Sequence, residues 1–232
     1  MIREAAVFLL ADQAAMQVFG YVREEHWGIE LPPVFDMPGA DLPAPLRRVL
    51  AHLAYDEAWI PDMLAGRTMD EVGRDRFDDD LLGTDPHGNL RRIAARACDA
   101  AYQVTDVNAI VHCSFGDVPV GDYFWQLNVA RSLTAHDVAA HLGLASPLSE
   151  ELSRAMWEGT TPSVEMWRSF GIYREPVPVP EHAPWQERFL GLTGRQRIVA
   201  ATRPRPEPSF PAGSSQVGVP AGHSDFQSCV NL

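Results

Sequence analysis

The chain has 232 residues and a mass of 25.7 kDa, enough to bury a sizeable hydrophobic core. Hydrophobic residues make up 46% of it and charged residues 22%, values typical of a folded globular protein rather than a disordered one. Lys and Arg number 19 against 31 Asp and Glu, so the net charge is −12. This charge argues against sequence-independent binding to nucleic acid and against binding to an anionic membrane.

Two further features bear on the location of the protein. The apolar stretch at the N-terminus carries charged residues and no cleavage-site pattern, and no apolar run approaches the roughly eighteen residues of a membrane span. Cys98, Cys113 and Cys229 are odd in number and widely separated, which suits reduced thiols better than a disulfide framework. We therefore predict a cytoplasmic protein.

Hydrophobic periodicity predicts four long helices. Apolar stripes recur at three- and four-residue intervals over residues 2–25, 46–65, 88–104 and 121–142. Pro45 suits a first helical position, and Gly66 and Gly143 suit positions just after a helix end. An extended or hairpin-like connection is predicted over 109–120. Four long helices are the element count of a helix bundle.

The C-terminal part of the chain differs in character. Further helices are predicted over 146–158, 162–170 and 184–192, with an extended segment over 176–180. Beyond Arg203 the composition turns to Pro, Gly and Ser, which predicts a disordered tail. The predicted organisation is a bundle over 1–145, an extension packed on it over 146–202 and a tail over 203–232. The sequence contains no glycine-rich phosphate loop, nucleophile elbow or CxxC pair.

The second predicted helix places polar residues inside its apolar stripe. On a helix with about 100° per residue, His52, Asp56, Trp59 and Met63 fall within roughly 60° of one another. His52 and Asp56 are therefore expected to point inward. An imidazole and a carboxylate one turn apart suit a metal-ligand pair or an acid/base pair, because burial is costly for them without partners. A mutually hydrogen-bonded core pair accounts for the same pattern.

The fourth predicted helix carries a second polar set. Ala130, Thr134, Asp137 and His141 advance by four, three and four residues and share a face expected to look into the bundle. His136 lies about 200° from Thr134 and is expected on the outer or lateral surface. Bundles build internal metal and cofactor sites from such sets on facing helices, although a salt-linked polar pair at one end fits as well. The candidate catalytic residues are His52, Asp56, Asp137 and His141.

Substrate contacts are predicted around the same cavity. Arg131 lies about 60° from Thr134, where its guanidinium can hold a substrate carboxylate, although solvation at the surface is the simpler explanation. Tyr102 and Trp125 can line a pocket, whereas rings at helical spacing usually belong to a core. The candidate substrate-binding residues are Arg131, Thr134, Trp59 and Tyr123.

Several blocks, in order, resemble the DinB-like, mycothiol-dependent maleylpyruvate isomerase superfamily, and above all its short actinobacterial branch of metal-binding proteins. The blocks are LRRVLAHLAYDEAW (46–59), MLAGRTMDEVG (63–73), DDDLLGTDP (78–86), VHCSFGDVPVGDYFWQL (111–127), HDVAAHLG (136–143) and FGIYREPVPVPEHAPWQERFLGLTGR (170–195). The resemblance covers about residues 5–197 and implies an all-α, DinB-like four-helix bundle with additional C-terminal helices. It also implies a divalent metal, zinc or nickel, held by one histidine of helix 2 and by an acidic residue and a histidine one turn apart on helix 4.

This chain departs from the metal site that the resemblance implies. His52 matches the helix 2 histidine, and Asp56 matches an acidic residue often found one turn later. Counting back without a gap from Asp137 places Ala130 at the acidic ligand and Thr134 at the second histidine. Two of the three ligands are therefore missing, and we predict a degenerate site with little or no metal.

Three functions remain open at this stage. The first is an enzyme of natural-product biosynthesis in which His52, with Asp56 or Asp137, transfers protons during isomerisation, cyclisation or dehydration of a small molecule. The second is a mycothiol-dependent, divalent-metal isomerase or thiol S-transferase. For the site itself, a metal displaced onto His52, Asp56, Asp137 and His141 is a separate alternative. The third is a non-catalytic protein that binds a small molecule. The sequence predicts no partner beyond that molecule and does not reveal the oligomeric state.

Overall fold

Four long helices form the body of the fold, as the hydrophobic periodicity predicts. The computed structural model describes residues 1–35 and 43–198, so the predicted tail and Cys229 lie outside the described residues. The helices in chain order are α1 (Arg3–Phe19), α2 (Leu46–Leu64), α3 (Met69–Val72), α4 (Pro86–Tyr102), α5 (Val120–His141), α6 (Glu150–Thr160), α7 (Val164–Ser169) and α8 (Trp185–Leu192). In the bundle, α1 packs along α5 and α2 packs along α4.

Local signals in the sequence account for most helix boundaries. α2, α4 and α5 begin and end within two residues of their predicted positions. Gly66 and Gly143 follow α2 and α5 with φ angles of 71° and 67°, a conformation that costs glycine little. α6 begins later than predicted because Ser149 caps it, its hydroxyl accepting a 3.1 Å hydrogen bond from the backbone N–H of Leu152.

The first helix is shorter than its apolar pattern predicts. α1 ends at Phe19, and a short 3₁₀ turn follows at Glu24–His26. Tyr21, which the pattern assigns to the apolar stripe, is 57% exposed. Val22 remains buried in the same core cluster as Phe19, so the apolar period continues past the hydrogen-bonded helix. Periodicity reports burial and cannot by itself mark where the helical hydrogen bonds stop.

Two small antiparallel strand pairs complete the described structure. β1 (Glu30–Leu31) pairs with β2 (Ala44–Pro45), a pairing that the sequence does not predict. β3 (Ile110–Cys113) and β4 (Gly116–Pro119) form the hairpin predicted between the third and fourth long helices. These strands are short, and the fold is all-α. Among the described helices, none is both long and apolar enough to cross a membrane.

The two helices that carry the candidate site run antiparallel. Trp59 and Met63, near the end of α2, share a core cluster with Tyr123, near the start of α5. Leu53, earlier on α2, shares a different cluster with Val138, late on α5. Glu57 of α2, which lies between these two places, contacts Arg131 in the middle of α5.

The C-terminal extension packs against the bundle through apolar side chains. Leu133 of α5, Met156 of α6 and Phe189 of α8 are fully buried in one cluster. α6 contacts α1 and α5 as well as α8. A methyl group added at Gly159 of α6 would lie 2.1 Å from the ring of Trp125, so this close approach requires glycine.

Candidate active site

His52 and Asp56 form a pair on α2. One turn separates them along the helix, and the His52 Nε2 atom lies 3.6 Å from the Asp56 Oδ2 atom. Solvent reaches the pair, because 75% of the His52 side chain and 40% of the Asp56 side chain are exposed. The prediction that His52 points inward is therefore wrong, whereas its proximity to Asp56 is confirmed.

Asp56 lies in a mixed electrostatic environment. Burial of its carboxylate against neighbouring protein raises the pKa, and the charges of His52 and Arg131 oppose that effect. In its ionised form, the Asp56 carboxylate places a negative charge 3.6 Å from the His52 ring.

Small side chains on α5 lie level with this pair. The contact between Glu57 and Arg131 sets the antiparallel register, so His52 and Asp56 lie within about one turn of the height of Thr134 and Ala130. Thr134 and Ala130 share one face of α5 with Tyr123. Thr134 is buried and Ala130 is half-buried. The side chains of Ala130 and Thr134 are smaller than the acidic residue and the histidine that the family resemblance implies at these two positions, so they leave more room beside α5. This face of α5 and the His52–Asp56 pair together form the candidate active site.

Aromatic residues border the candidate site on α2 and α5. Tyr123 is buried, and burial together with the nearby Asp56 raises the pKa of its hydroxyl, which stays protonated. Trp59 is buried beside Phe77, with ring centres 5.0 Å apart, and its Nε1 has no hydrogen-bond partner within the described residues. Tyr102 is 61% exposed.

The bundle interior holds a buried charged group that we call the Arg131 cluster, comprising Arg131, Asp12, Glu57 and Cys98. Arg131 is 2% exposed, its Nη1 lies 3.0 Å from Asp12 Oδ1, and it also contacts the Glu57 carboxylate. The Cys98 thiol donates a 3.3 Å hydrogen bond to Asp12. Helices α1, α2, α4 and α5 each contribute one member. The guanidinium is neither solvated nor free to bind a substrate carboxylate, contrary to both sequence-based interpretations.

The Arg131 cluster makes stability depend on pH. Burial raises the pKa of Glu57 from 4.5 to about 8; Arg131 opposes the shift and Asp12 adds to it. Because the folded state binds this proton more tightly than the unfolded state, the free energy of unfolding falls as the pH rises from about 4.5 to about 8, at up to roughly 1.4 kcal/mol per pH unit.

We expect the melting temperature of the wild type to fall across pH 5–8 and that of Glu57→Gln to change less over the same range. Parallel curves for the two proteins would contradict this assignment.

Asp137 and His141 do not join the candidate site. Asp137 forms a two-pronged ion pair with the buried Arg195, with N···O distances of 2.8–3.2 Å. His141 is exposed, and its Nδ1 lies 2.7 Å from the carbonyl oxygen of Asp137. Of the four candidate catalytic residues, the structure therefore brings together only the two on α2, His52 and Asp56.

His136 is buried, contrary to its predicted outer position. Its Nδ1 lies 3.0 Å from the Ser146 hydroxyl, and burial is the main cause that lowers the pKa of the imidazole. The C-terminal extension covers the α5 surface that a four-helix pattern alone leaves open to solvent.

The residues present do not fit the divalent metal that the family resemblance implies. Ala130 offers no donor atom, and the Thr134 hydroxyl is a poor zinc or nickel ligand. Over residues 1–35 and 43–198, no group of three or more His, Cys, Asp or Glu side chains is placed to hold an ion.

Sequence reasoning missed the carboxylates of the Arg131 cluster. Asp12 follows Phe8 by four residues and precedes Ala15 by three, and Glu57 occupies the matching place between Leu53 and Ile60. A charged residue in the middle of an apolar stripe is the signal that identifies both, because an unpaired buried carboxylate is costly.

Comparison with known proteins identifies the fold. No protein-family model matches the chain, and no curated protein matches it in sequence. Two solved structures are similar: a mycothiol-dependent maleylpyruvate isomerase, at 12% identity and a TM-score of 0.51, and an alanine mutant of such an enzyme, at 13% and 0.53. Each match covers 78% of this chain and 76% of the other. The chain therefore has the DinB-like fold of the mycothiol-dependent maleylpyruvate isomerases.

Proposed function

We propose that this protein catalyses proton transfer within a small organic molecule, with His52 and Asp56 as its acid/base pair. The observation that supports this proposal is the 3.6 Å contact between the two side chains at a solvent-accessible point of the bundle. Isomerisation, cyclisation and dehydration all need a group that takes a proton from one atom and returns one to another. The resemblance to the short actinobacterial branch supports natural-product biosynthesis as the setting.

The contact also indicates which imidazole nitrogen acts. Asp56 lies beside Nε2, so it favours the tautomer with hydrogen on Nε2 and leaves Nδ1 as the acceptor. In the isomerisation of a β,γ-unsaturated ketone, Nδ1 takes a proton from the α-carbon and the electron pair moves to the carbonyl oxygen. The pair then returns through the conjugated system, and the imidazolium delivers the proton to the γ-carbon as the double bond shifts. Asp56 stabilises the imidazolium in between, and the 3.6 Å separation can shorten when substrate binds.

Two further side chains are suited to hold the substrate. The protonated Tyr123 hydroxyl and the Trp59 Nε1, which has no hydrogen-bond partner in the described part of the chain, are both donors on the α5 and α2 faces that adjoin the pair. Donors of this kind stabilise the negative charge that develops on a carbonyl oxygen. We assign them to substrate binding and orientation.

The test is loss of proton exchange in matched histidine variants. Deuterium incorporation from D₂O into a panel of small enolisable ketones and 2-oxo acids identifies a substrate by NMR. On that substrate, His52→Ala is expected to lower the rate by about 10²- to 10⁴-fold and Asp56→Asn by less. His112→Ala is the control, because His112 forms a comparable pair with Asp117, 2.8 Å apart, on the β3–β4 hairpin. Equal effects of His52→Ala and His112→Ala would rule out the assignment.

A thiol-dependent isomerase is the second candidate, because both structural neighbours are mycothiol-dependent enzymes. Under the first proposal, gel-filtered protein keeps its rate without added thiol and in the presence of a chelator. A rate that requires mycothiol and zinc or nickel would replace the first proposal with the second.

A further inference from the structure

A groove in the C-terminal extension contains a fixed cation, Arg188, which has no anionic partner among the described residues. The groove has a volume of about 300 Å³, at the small end of the range for ligand sites. It lies between α8 and the extended segment that precedes it, with Trp157 of α6 at one side. Its lining residues are Trp157, Pro176, Val177, Val179, Pro180, Glu181, Arg188, Gly191 and Leu192.

Two indole rings hold the Arg188 guanidinium. Its central carbon lies 4.3 Å from the Trp157 ring centre and 4.0 Å from the Trp185 ring centre. The two rings are themselves 5.4 Å apart. Stacking of this kind fixes the plane of the guanidinium and removes water from its faces, while the N–H groups around its edge remain available.

The edge of the Arg188 guanidinium has no partner in the part of the chain that the structure describes. Neighbouring arginines are engaged: Arg154 pairs with Glu158 at 2.9 Å, and Arg197 pairs with Glu187 at 2.9 Å. Arg188 forms no such ion pair or side-chain hydrogen bond there. In a chain of net charge −12, an oriented and unneutralised cation is a specific feature rather than part of a basic surface.

The opposite wall of the groove is rigid and apolar. The backbone N–H of Val177 donates a 2.9 Å hydrogen bond to the Gly191 carbonyl. A methyl group added at Gly191 would lie 2.7 Å from the Val177 carbonyl oxygen, so the extended segment sits directly on α8. Proline and valine side chains of that segment face the groove. Such a wall is already formed before a ligand binds.

We propose that this groove binds a small monocarboxylate with an apolar body, its carboxylate on Arg188 and its body against the proline and valine wall. A carboxylate matches the paired N–H donors of a guanidinium with two parallel hydrogen bonds. Glu181, exposed at the groove, repels a second negative charge and so favours a monoanion over a phosphate dianion. The site uses no residue of the proposed active site, so either proposal can fail without the other.

Titration of the full-length protein with 3-phenylpropionate, followed by NMR of the indole N–H signals, tests the proposal. We expect saturable shifts of the Trp157 and Trp185 signals, and about tenfold weaker binding to Arg188→Gln. Arg154→Gln is the matched control, because Arg154 also contacts the Trp185 ring, at 5.5 Å, but is paired with Glu158. It should bind like the wild type.

The uncharged analogue 3-phenylpropan-1-ol separates recognition of charge from apolar adsorption. It should bind about tenfold more weakly than the acid, and equal binding of acid and alcohol would overturn the proposal. Glu181→Gln provides a second test at an exposed position, should Arg188→Gln fail to fold. Tighter binding of the acid to this variant is expected, and unchanged or weaker binding contradicts the proposal.

Discussion

Arg131→Met is expected to destabilise the protein by about 3–5 kcal/mol. The side chain is 2% exposed and is the only cation of the Arg131 cluster, so its removal leaves Asp12 without a counter-charge inside the bundle and Glu57 without its guanidinium contact. Methionine fills much of the same volume, which limits the part of the effect due to a cavity. Urea unfolding followed by circular dichroism measures the loss.

Two further variants isolate the electrostatic cause of that loss. Arg74→Met removes an exposed pair with Asp70, at 2.5 Å, and should change stability by less than about 1 kcal/mol. Combining Arg131→Met with Asp12→Asn and Glu57→Gln should restore part of the lost stability, because no unpaired charge is then left buried. A loss no larger than that of Arg74→Met would show that the Arg131 cluster is not a stabilising ion group.

The second large effect expected is a gain of metal binding. Wild-type protein, dialysed against zinc or nickel, should carry well under one equivalent. Ala130→Glu with Thr134→His places a carboxylate and an imidazole one turn apart at the height of His52, and should raise the content to about one ion per chain. Elemental analysis measures the content, and added zinc should raise the melting temperature of the double variant.

The same double variant tests the alignment of α2 with α5. Adding His52→Ala to it should remove the bound metal, because three side chains then become two. Thr134 is buried, so the melting temperature of the metal-free double variant reports the separate cost of placing an imidazole there. A full equivalent of metal in the wild type would contradict the loss of ligands, and metal retained without His52 would contradict the predicted register.

The Arg131 cluster and the His52–Asp56 pair are electrostatically linked. The Arg131 charge lowers the pKa of Asp56, against the dominant effect of burial. Arg131 therefore favours the ionised form of the carboxylate that the proposed mechanism needs beside His52. In variants of Arg131 that remain folded, activity should shift to higher pH, because Asp56 then loses its proton less readily.

The sequence by itself determined the helices and their local chemistry. Apolar period and capping residues depend only on near neighbours along the chain, so α2, α4 and α5 and the β3–β4 hairpin could be predicted. The proximity of His52 and Asp56 follows in the same way, because residues four apart on any helix are neighbours.

Only the tertiary structure decided which face of each helix is buried. Glu57 lies about 140° around α2 from His52, and packing turned Glu57 into the bundle and left His52 exposed. The ion pairs of Arg131 with Asp12 and of Arg195 with Asp137 join residues 119 and 58 positions apart. A helical period specifies the angles between side chains around the helix axis, but it does not specify which face of the helix turns toward the protein interior. That direction is set by the neighbouring helices and by the extension that covers α5, because together they determine where apolar area can be buried and which charges find partners.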